Sequence, residues 1–380
     1  MDHGDHTIDC SNGLTLGGSD DVVWHHHRQE TILIMSDIIR NVLLEGVSKG
    51  HFPGAQWALI KRGQPIKTHH VGNRQIIPEP HPVDGLEIYD VASLTKVVVT
   101  TTLIMRLALE KQLSLDDALM SHLSRFQHPD ITIAHLLTHS SGLPADIPRA
   151  SRLASRQQVL DHVFSVGTLH VPGHDIIYSD IGFILLGLVV EKITGMGLDE
   201  AAGQFIFKPL GMNDTSFHPD PARCAPTEWR DDEVFSGLLQ GRVHDEKAFA
   251  MGGVAGHAGL FSTAHDLGLF IKAMLEDNFV LDQTWTDALF EPRMDIRKDN
   301  GTTIRAYGWD KPVPGGSAGD HVDFRQTILH TGFTGCNMWV DRFHQTGFVL
   351  LSNAVHPKRE DNGIIPYRRK IAGMIITQEV

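Results

Sequence analysis

Cysteine is scarce in this 380-residue chain. There are three, Cys10, Cys224 and Cys336, odd in number and far apart. That usage excludes a disulfide framework and a CxxC metal site. It suits a reducing compartment, although an exported enzyme without disulfides would share it. Excess positive charge is also missing: 33 Lys and Arg against 46 Asp and Glu give a formal net charge of −13. With no basic stripe, neither a nucleic acid nor an anionic membrane is expected as partner. Long apolar runs are absent too. The longest, from Ile181 to Val190, is too short to span a bilayer. No cationic stretch followed by an apolar one opens the chain, so no secretory signal is read and a cytoplasmic location is expected. There is no internal repeat and no long linker, which makes any second domain an insertion.

Residues 1–34 are polar and rich in Asp, Gly and His, and are read as a disordered tail, with Met35 a candidate natural start. Nothing near His25-His26-His27 completes a metal-ligand set. Apolar periodicity predicts helices over 36–49, 97–112, 181–194, 264–276 and 363–377. A hairpin is predicted over 55–71, with three further strands at 326–332, 336–340 and 346–352. The glycine-rich stretch Gly252-Gly253-Val254-Ala255-Gly256-His257-Ala258-Gly259 lacks the Gly-Lys-Ser/Thr ending of a phosphate loop.

Three short motifs carry chemistry. In Ser93-Leu94-Thr95-Lys96, serine and lysine are three apart and share a face on a first helical turn. That is the spacing for an amine to take a nucleophilic serine's proton. A lysine in that role must be neutral, its pKa lowered by burial or by a neighbouring cation. The helix N-terminus adds N–H groups that favour an alkoxide or oxyanion. Alone, the motif is weak, and an N-cap serine with a solvated lysine one turn later is its leading reading. Tyr178-Ser179-Asp180 at the head of an apolar helix and His330-Thr331-Gly332 in a strand follow in order.

Together these motifs resemble those of the serine β-lactamase and penicillin-binding-protein superfamily, in its class C β-lactamase, DD-carboxypeptidase and esterase branch. The resemblance extends from about Phe52 to Ser352. It includes Pro53-Gly54, Leu136-Leu137-Thr138-His139-Ser140-Ser141-Gly142-Leu143 and the run from Gly253 to Ser262. It implies an α/β (α+β) fold in which an antiparallel sheet is flanked by helices. Residues 35–100 and 260–380 would form the α/β domain, and 101–259 a mostly helical inserted domain.

The resemblance implies Ser93 as nucleophile, Lys96 as its activator, Tyr178 as proton shuttle and His330 in place of a third-motif lysine. The N–H groups of Ser93 and Phe333 would form the oxyanion hole. Asp180, Thr331, Gly332 and His257 are candidate substrate contacts; for His257, and for His139, a structural role is the leading expectation. Asp180 stands where many members have asparagine, and its charge would favour a protonated Lys96. His330 would make carboxylate binding pH-dependent. A zinc site of His244, Asp245 and His257 matches no known spacing, so no metal and no cofactor are expected. The expected activity is hydrolysis of a small-molecule ester, amide or peptide through an acyl-enzyme, foremost as a carboxylesterase. The alternatives are a DD-carboxypeptidase or D-amino-acid peptidase, a muropeptide amidase, a weak β-lactamase and a catalytically silent binding protein.

Overall fold

The computed structural model describes Met1, residues 20–298 and residues 301–377. Cys10 lies outside them, as do the side chains of His25, His26 and His27 and most of the segment expected to be a tail. Helix α1 spans Asp20–Ser48, beginning well before the predicted start at Ser36. No glycine or proline interrupts 20–35, so nothing local stops the helix there. Ser36 is an interior residue, and its hydroxyl is buried rather than capping.

A six-stranded antiparallel sheet forms the centre. Its strands are β1 (Gly54–Lys61), β2 (Thr68–Gln75), β3 (His81–Pro82), β4 (Thr327–Thr331), β5 (Asn337–Asp341) and β6 (Thr346–Ser352), in the order β4-β5-β6-β1-β2-β3. The chain's two ends therefore meet in mid-sheet, where Trp57 pairs with Leu350. Side chains alternate between faces along each strand. Trp57, Leu59, Trp339 and Phe348 share one cluster with Ile39 and Leu43 of α1 and Ile371 and Ile375 of the last helix, α5 (Ile365–Thr377). Ala58, Ile60, Met338 and Val349 face the other way, onto α4 (Ala264–Leu275). With both faces covered, the central strands read as nearly unbroken apolar runs rather than alternating ones.

The second face opens into a larger apolar cluster that continues through the helical segment. It takes in α2 (Thr102–Leu109) and α3 (Asp180–Thr194). Helix α3 is buried nearly all round, as its apolar composition requires. It ends at Gly195, which adopts the left-handed conformation. Among the described residues no single helix is long and apolar enough to cross a membrane.

Candidate active site

Ser93 sits on a sharp turn between a short strand, Tyr89–Asp90, and a helix. The strand pairs with Phe261–Ser262 at the end of the glycine-rich run. Ala92 takes φ of +47°, a left-handed conformation that a Cβ disfavours. Two hydrogen bonds hold it: the Ala92 N–H donates to Asp90 Oδ1 at 2.9 Å, and Asp90 Oδ2 accepts the His244 N–H at 2.7 Å. Strain of this kind persists only where the surroundings fix it. Behind Ser93 the chain is π-helical over Lys96–Thr101 before continuing as α2. That segment is Lys96-Val97-Val98-Val99-Thr100-Thr101, five of whose six residues are β-branched and weak α-helix formers.

Lys96 is completely buried. Its Nζ donates to Ser93 Oγ at 2.9 Å and to the His257 carbonyl at 3.0 Å, and pairs with Asp180 Oδ1 at 2.8 Å. Burial alone would lower its pKa, but Asp180 and then Tyr178 outweigh burial and leave it above the ordinary lysine value. This corrects the expectation of a neutral amine: Lys96 is an ammonium that donates to Ser93. Asp180 is the cause, as its negative charge suggested. Its own pKa is lowered, because Lys96, His257 and Lys247 together outweigh the upward push of burial.

The framework motif at 136–143 holds the second motif in place. His139 accepts the Ser179 N–H at its Nδ1 (2.9 Å), and its carbonyl accepts the Ile177 N–H (2.9 Å). The Ser179 hydroxyl donates to the Pro144 carbonyl at 2.6 Å and caps α3 through the Gly182 N–H. The His139 ring lies 4.4 Å from that of Tyr178, and burial pushes the His139 imidazole pKa well below its usual value. Tyr178 is thereby clamped over the active lysine, with Lys96 Nζ 4.9 Å and the Arg305 guanidinium 5.2 Å from its ring centre.

His330 is buried beside Tyr178, ring centres 6.1 Å apart. Burial, then Lys96 and Arg305, push its pKa well below the usual imidazole range. The expected pH-dependent cation is therefore a neutral imidazole. Its Nδ1 lies 2.9 Å from the Thr331 carbonyl and must donate to it, which leaves Nε2 as a buried acceptor without a partner among the described residues. Gly332 does not face the cleft. A Cβ there would lie 2.5 Å from the Val91 carbonyl oxygen, so the glycine permits close passage behind the turn at Ser93. Phe333 does reach the cleft and stacks on His244 at 5.7 Å. Among the described residues neither the Ser93 nor the Phe333 N–H has an acceptor, which leaves both amides for an incoming oxygen.

Ser93, Tyr178, Asp180, Thr331 and Phe333 line one cleft of about 340 Å³. His257 does not line it. It is fully buried, gives its carbonyl to Lys96 and pairs its Nε2 with Asp245 Oδ1 at 2.7 Å. His257 is therefore not a substrate contact, as one expectation had it; its carbonyl serves the structural role that was the leading one. The flanking Gly256 is pressed against α3, where a Cβ would stand 2.1 Å from the Phe183 carbonyl oxygen. His244 turns its Nε2 to Glu228 at 3.0 Å, outside the zinc set considered from the sequence. Asp180, Asp245 and His257 do place ligand-type atoms within 4.8 Å of one another.

Sequence reasoning missed Lys247 and Asp146. Lys247 is 2% exposed, and its ammonium lies 2.8 Å from Asp146 Oδ1, 3.0 Å from Asp245 Oδ2 and 3.2 Å from Asp180 Oδ2. The Asp245-x-Lys247 spacing was the only local signal. Asp146 is distant in sequence and carries none.

A model of the Beta-lactamase family matches residues 39–373. An N-acetylmuramyl-L-alanine amidase of Bacillus subtilis (strain 168) is 30% identical over 353 residues, covering 80% of this chain and 78% of that protein. A protein of Escherichia coli (strain K12) named "Putative D-alanyl-D-alanine carboxypeptidase" is 32% identical over 348 residues, covering 80% and 79%. Among solved structures, a class C beta-lactamase mutant superposes with a TM-score of 0.70 at 19% identity, over 90% of this chain and 97% of that one. The fold is that of β-lactamases and transpeptidases, and the chain belongs to the Beta-lactamase family as a serine hydrolase.

Proposed function

We propose that this serine hydrolase cleaves an amide bond in a polar, peptide-containing substrate of the kind derived from bacterial cell walls. The observation that carries the reading is the lining of the cleft. Asp146, Asp245, Glu246, Lys247 and Arg359 crowd it, while its apolar surface is confined to Ala92, Ala258, Phe333 and the Tyr178 ring. A short-chain ester needs an apolar acyl pocket. A peptide or sugar-peptide needs hydrogen-bonding partners, which this wall supplies. The names of the amidase and carboxypeptidase relatives support the same reading. With His330 neutral, the third motif offers no fixed cation for a substrate carboxylate, whether of a β-lactam or of a peptide C-terminus.

In this mechanism Ser93 Oγ attacks the carbonyl carbon and its proton passes to Tyr178. Lys96 and Arg305 flank the Tyr178 ring, with Lys96 Nζ 4.9 Å and the Arg305 guanidinium 5.2 Å from its centre. Lys96 remains protonated and stabilises the developing alkoxide. The N–H groups of Ser93 and Phe333 receive the tetrahedral oxyanion. Tyr178 then protonates the departing amine, and the C–N bond breaks to leave the acyl-enzyme. Water, giving a proton to Tyr178, attacks the ester, and Ser93 recovers its proton as the acid departs.

The test sets D-alanyl-D-alanine peptides and N-acetylmuramyl-L-alanine peptides beside p-nitrophenyl butyrate, with products read by mass spectrometry. Release of an amine from a peptide by wild type and not by Ser93→Ala is expected. Turnover of the ester alone, with every peptide left intact, would return the protein to the carboxylesterase reading.

A further inference from the structure

A closed ring of contacts underlies the nucleophile. Lys96 pairs with Asp180 Oδ1, Asp180 Oδ2 with Lys247, Lys247 with Asp245 Oδ2, and Asp245 Oδ1 with the His257 ring. The His257 carbonyl then accepts from Lys96 at 3.0 Å and closes the ring. Within it two ammonium groups face two carboxylates. Both lysines are buried, so neither charge is tolerable without the other's counter-ion. Asp146, with its side chain 56% exposed, completes the coordination of Lys247 from the mouth of the cleft.

We propose that Lys247 is a positioning residue for the acyl-transfer step. It holds the second oxygen of Asp180 and, through Asp180, the ammonium of Lys96 against Ser93. It is also the charge compensation that lets the carboxylates of Asp180 and Asp245 share one space. Without Lys247, the carboxylates of Asp180 and Asp245 would face each other across the same space. One of the two would then turn away or take up a proton, and the hold on Lys96 would loosen. Asp180, Asp245 and His257 also have the spread to bridge a metal ion. The structure places the Lys247 ammonium against the same carboxylates, and a metal ion there would face both lysines. The ammonium is the cation that this geometry favours.

The proposal needs Ser93 as the nucleophile but not the peptide as substrate. It is therefore tested with a fluorophosphonate that labels Ser93, read as a second-order rate against pH in a double-mutant cycle. Lys247→Met is expected to slow labelling at least about tenfold and to move the acid limb of the profile up by about one pH unit, because Asp180 loses one of the two ammonium groups in contact with it. In the Asp180→Asn background the same substitution is expected to cost less than about threefold, since no carboxylate remains there for Lys247 to hold. If Lys247→Met folds only when Asp180→Asn accompanies it, the compensation is demonstrated directly. If it folds in neither background, Lys247→Gln, which keeps a donor in place, replaces it in the cycle.

Equal losses in both backgrounds, or a wild-type rate and profile for Lys247→Met, would overturn the proposal. So would labelling of wild type that falls on EDTA treatment and returns with zinc. A wild type that takes no phosphonate at all would instead remove Ser93 as nucleophile, a failure distinct from these.

Discussion

Lys96 and Lys311 are both buried, yet their surroundings drive them in opposite directions. Lys311 donates to two carbonyl oxygens, those of Phe290 at 2.7 Å and Arg325 at 2.8 Å. Burial dominates there, and the more distant acidic groups recover only part of the loss, so its pKa falls to about 8. Lys96 has a carbonyl and a hydroxyl as acceptors, and a carboxylate in contact besides. Burial still pushes the Lys96 pKa down, but Asp180, and after it Tyr178, outweigh burial. The comparison shows what a buried ammonium needs in order to stay charged: hydrogen bonds to neutral oxygens do not suffice, and a counter-ion does. It also assigns the chemistry. A lysine in the surroundings of Lys311 could serve as a base near neutral pH, whereas Lys96 serves as a fixed cation and leaves the proton to Tyr178.

The largest effect is expected from removing the fixed cation. Lys96→Met should slow phosphonate labelling of Ser93 on the order of 10²- to 10³-fold, the scale of losing a donor to a developing oxyanion. Labelling by intact-protein mass spectrometry checks it, and an unchanged rate would mean that Lys96 has no part in the step.

Asp180→Asn moves Lys96 into the situation of Lys311, buried with neutral acceptors and with Lys247 still nearby. Its pKa should fall, and a basic limb absent from wild type should appear, reaching about a tenfold loss at the alkaline end. Profiles of the two proteins that superimpose between neutral and alkaline pH would break the comparison.

The smallest effect concerns stability. The folded-state pKa of Lys311 lies below the ordinary 10.5, at about 8. Between those values the unfolded chain holds the proton that the folded chain has released, so this residue makes stability rise with pH across that window. Below about pH 8 both states are protonated and the cost of the buried charge is fully present. Denaturant unfolding of wild type and Lys311→Met should therefore show wild type gaining on the variant from pH 8 upward, by up to roughly 3 kcal/mol. A difference that stays flat with pH would mean that Lys311 titrates as it does in water.

Much of the site was legible because its chemistry is carried by short motifs. Ser93 and Lys96 share a turn, Tyr178 heads a helix, and His330-Thr331-Gly332 ends a strand, so each could be recognised from a few adjacent residues. Strands β1, β4, β5 and β6 were legible for a related reason: they are largely apolar runs bounded by clear turns, whereas β2 is mostly polar and β3 is only His81–Pro82. The charge states were only half legible. Asp180 could be seen to oppose a neutral Lys96, but the 2.8 Å contact that settles the matter is a product of folding. The neutrality of His330 depends on how many groups cover it, and no spacing reports that. Lys247 meets Asp146 and Asp180, both distant in sequence, only because folding brings the helix Glu246–Ala250 beside them. The hairpin Met294–Lys298 with Gly301–Arg305 was passed over, since its strands are largely polar and exposed.

The most direct measurement is a titration of the lysine side-chain ¹⁵Nζ signals by NMR, with Lys96 and Lys311 assigned through Lys96→Met and Lys311→Met. The account predicts that Lys96 keeps an ammonium shift throughout pH 6 to 9.5 while Lys311 titrates near pH 8. A Lys96 signal that moves to the neutral-amine position at or below pH 8 would contradict it, and would return to Lys96 the base role here given to Tyr178.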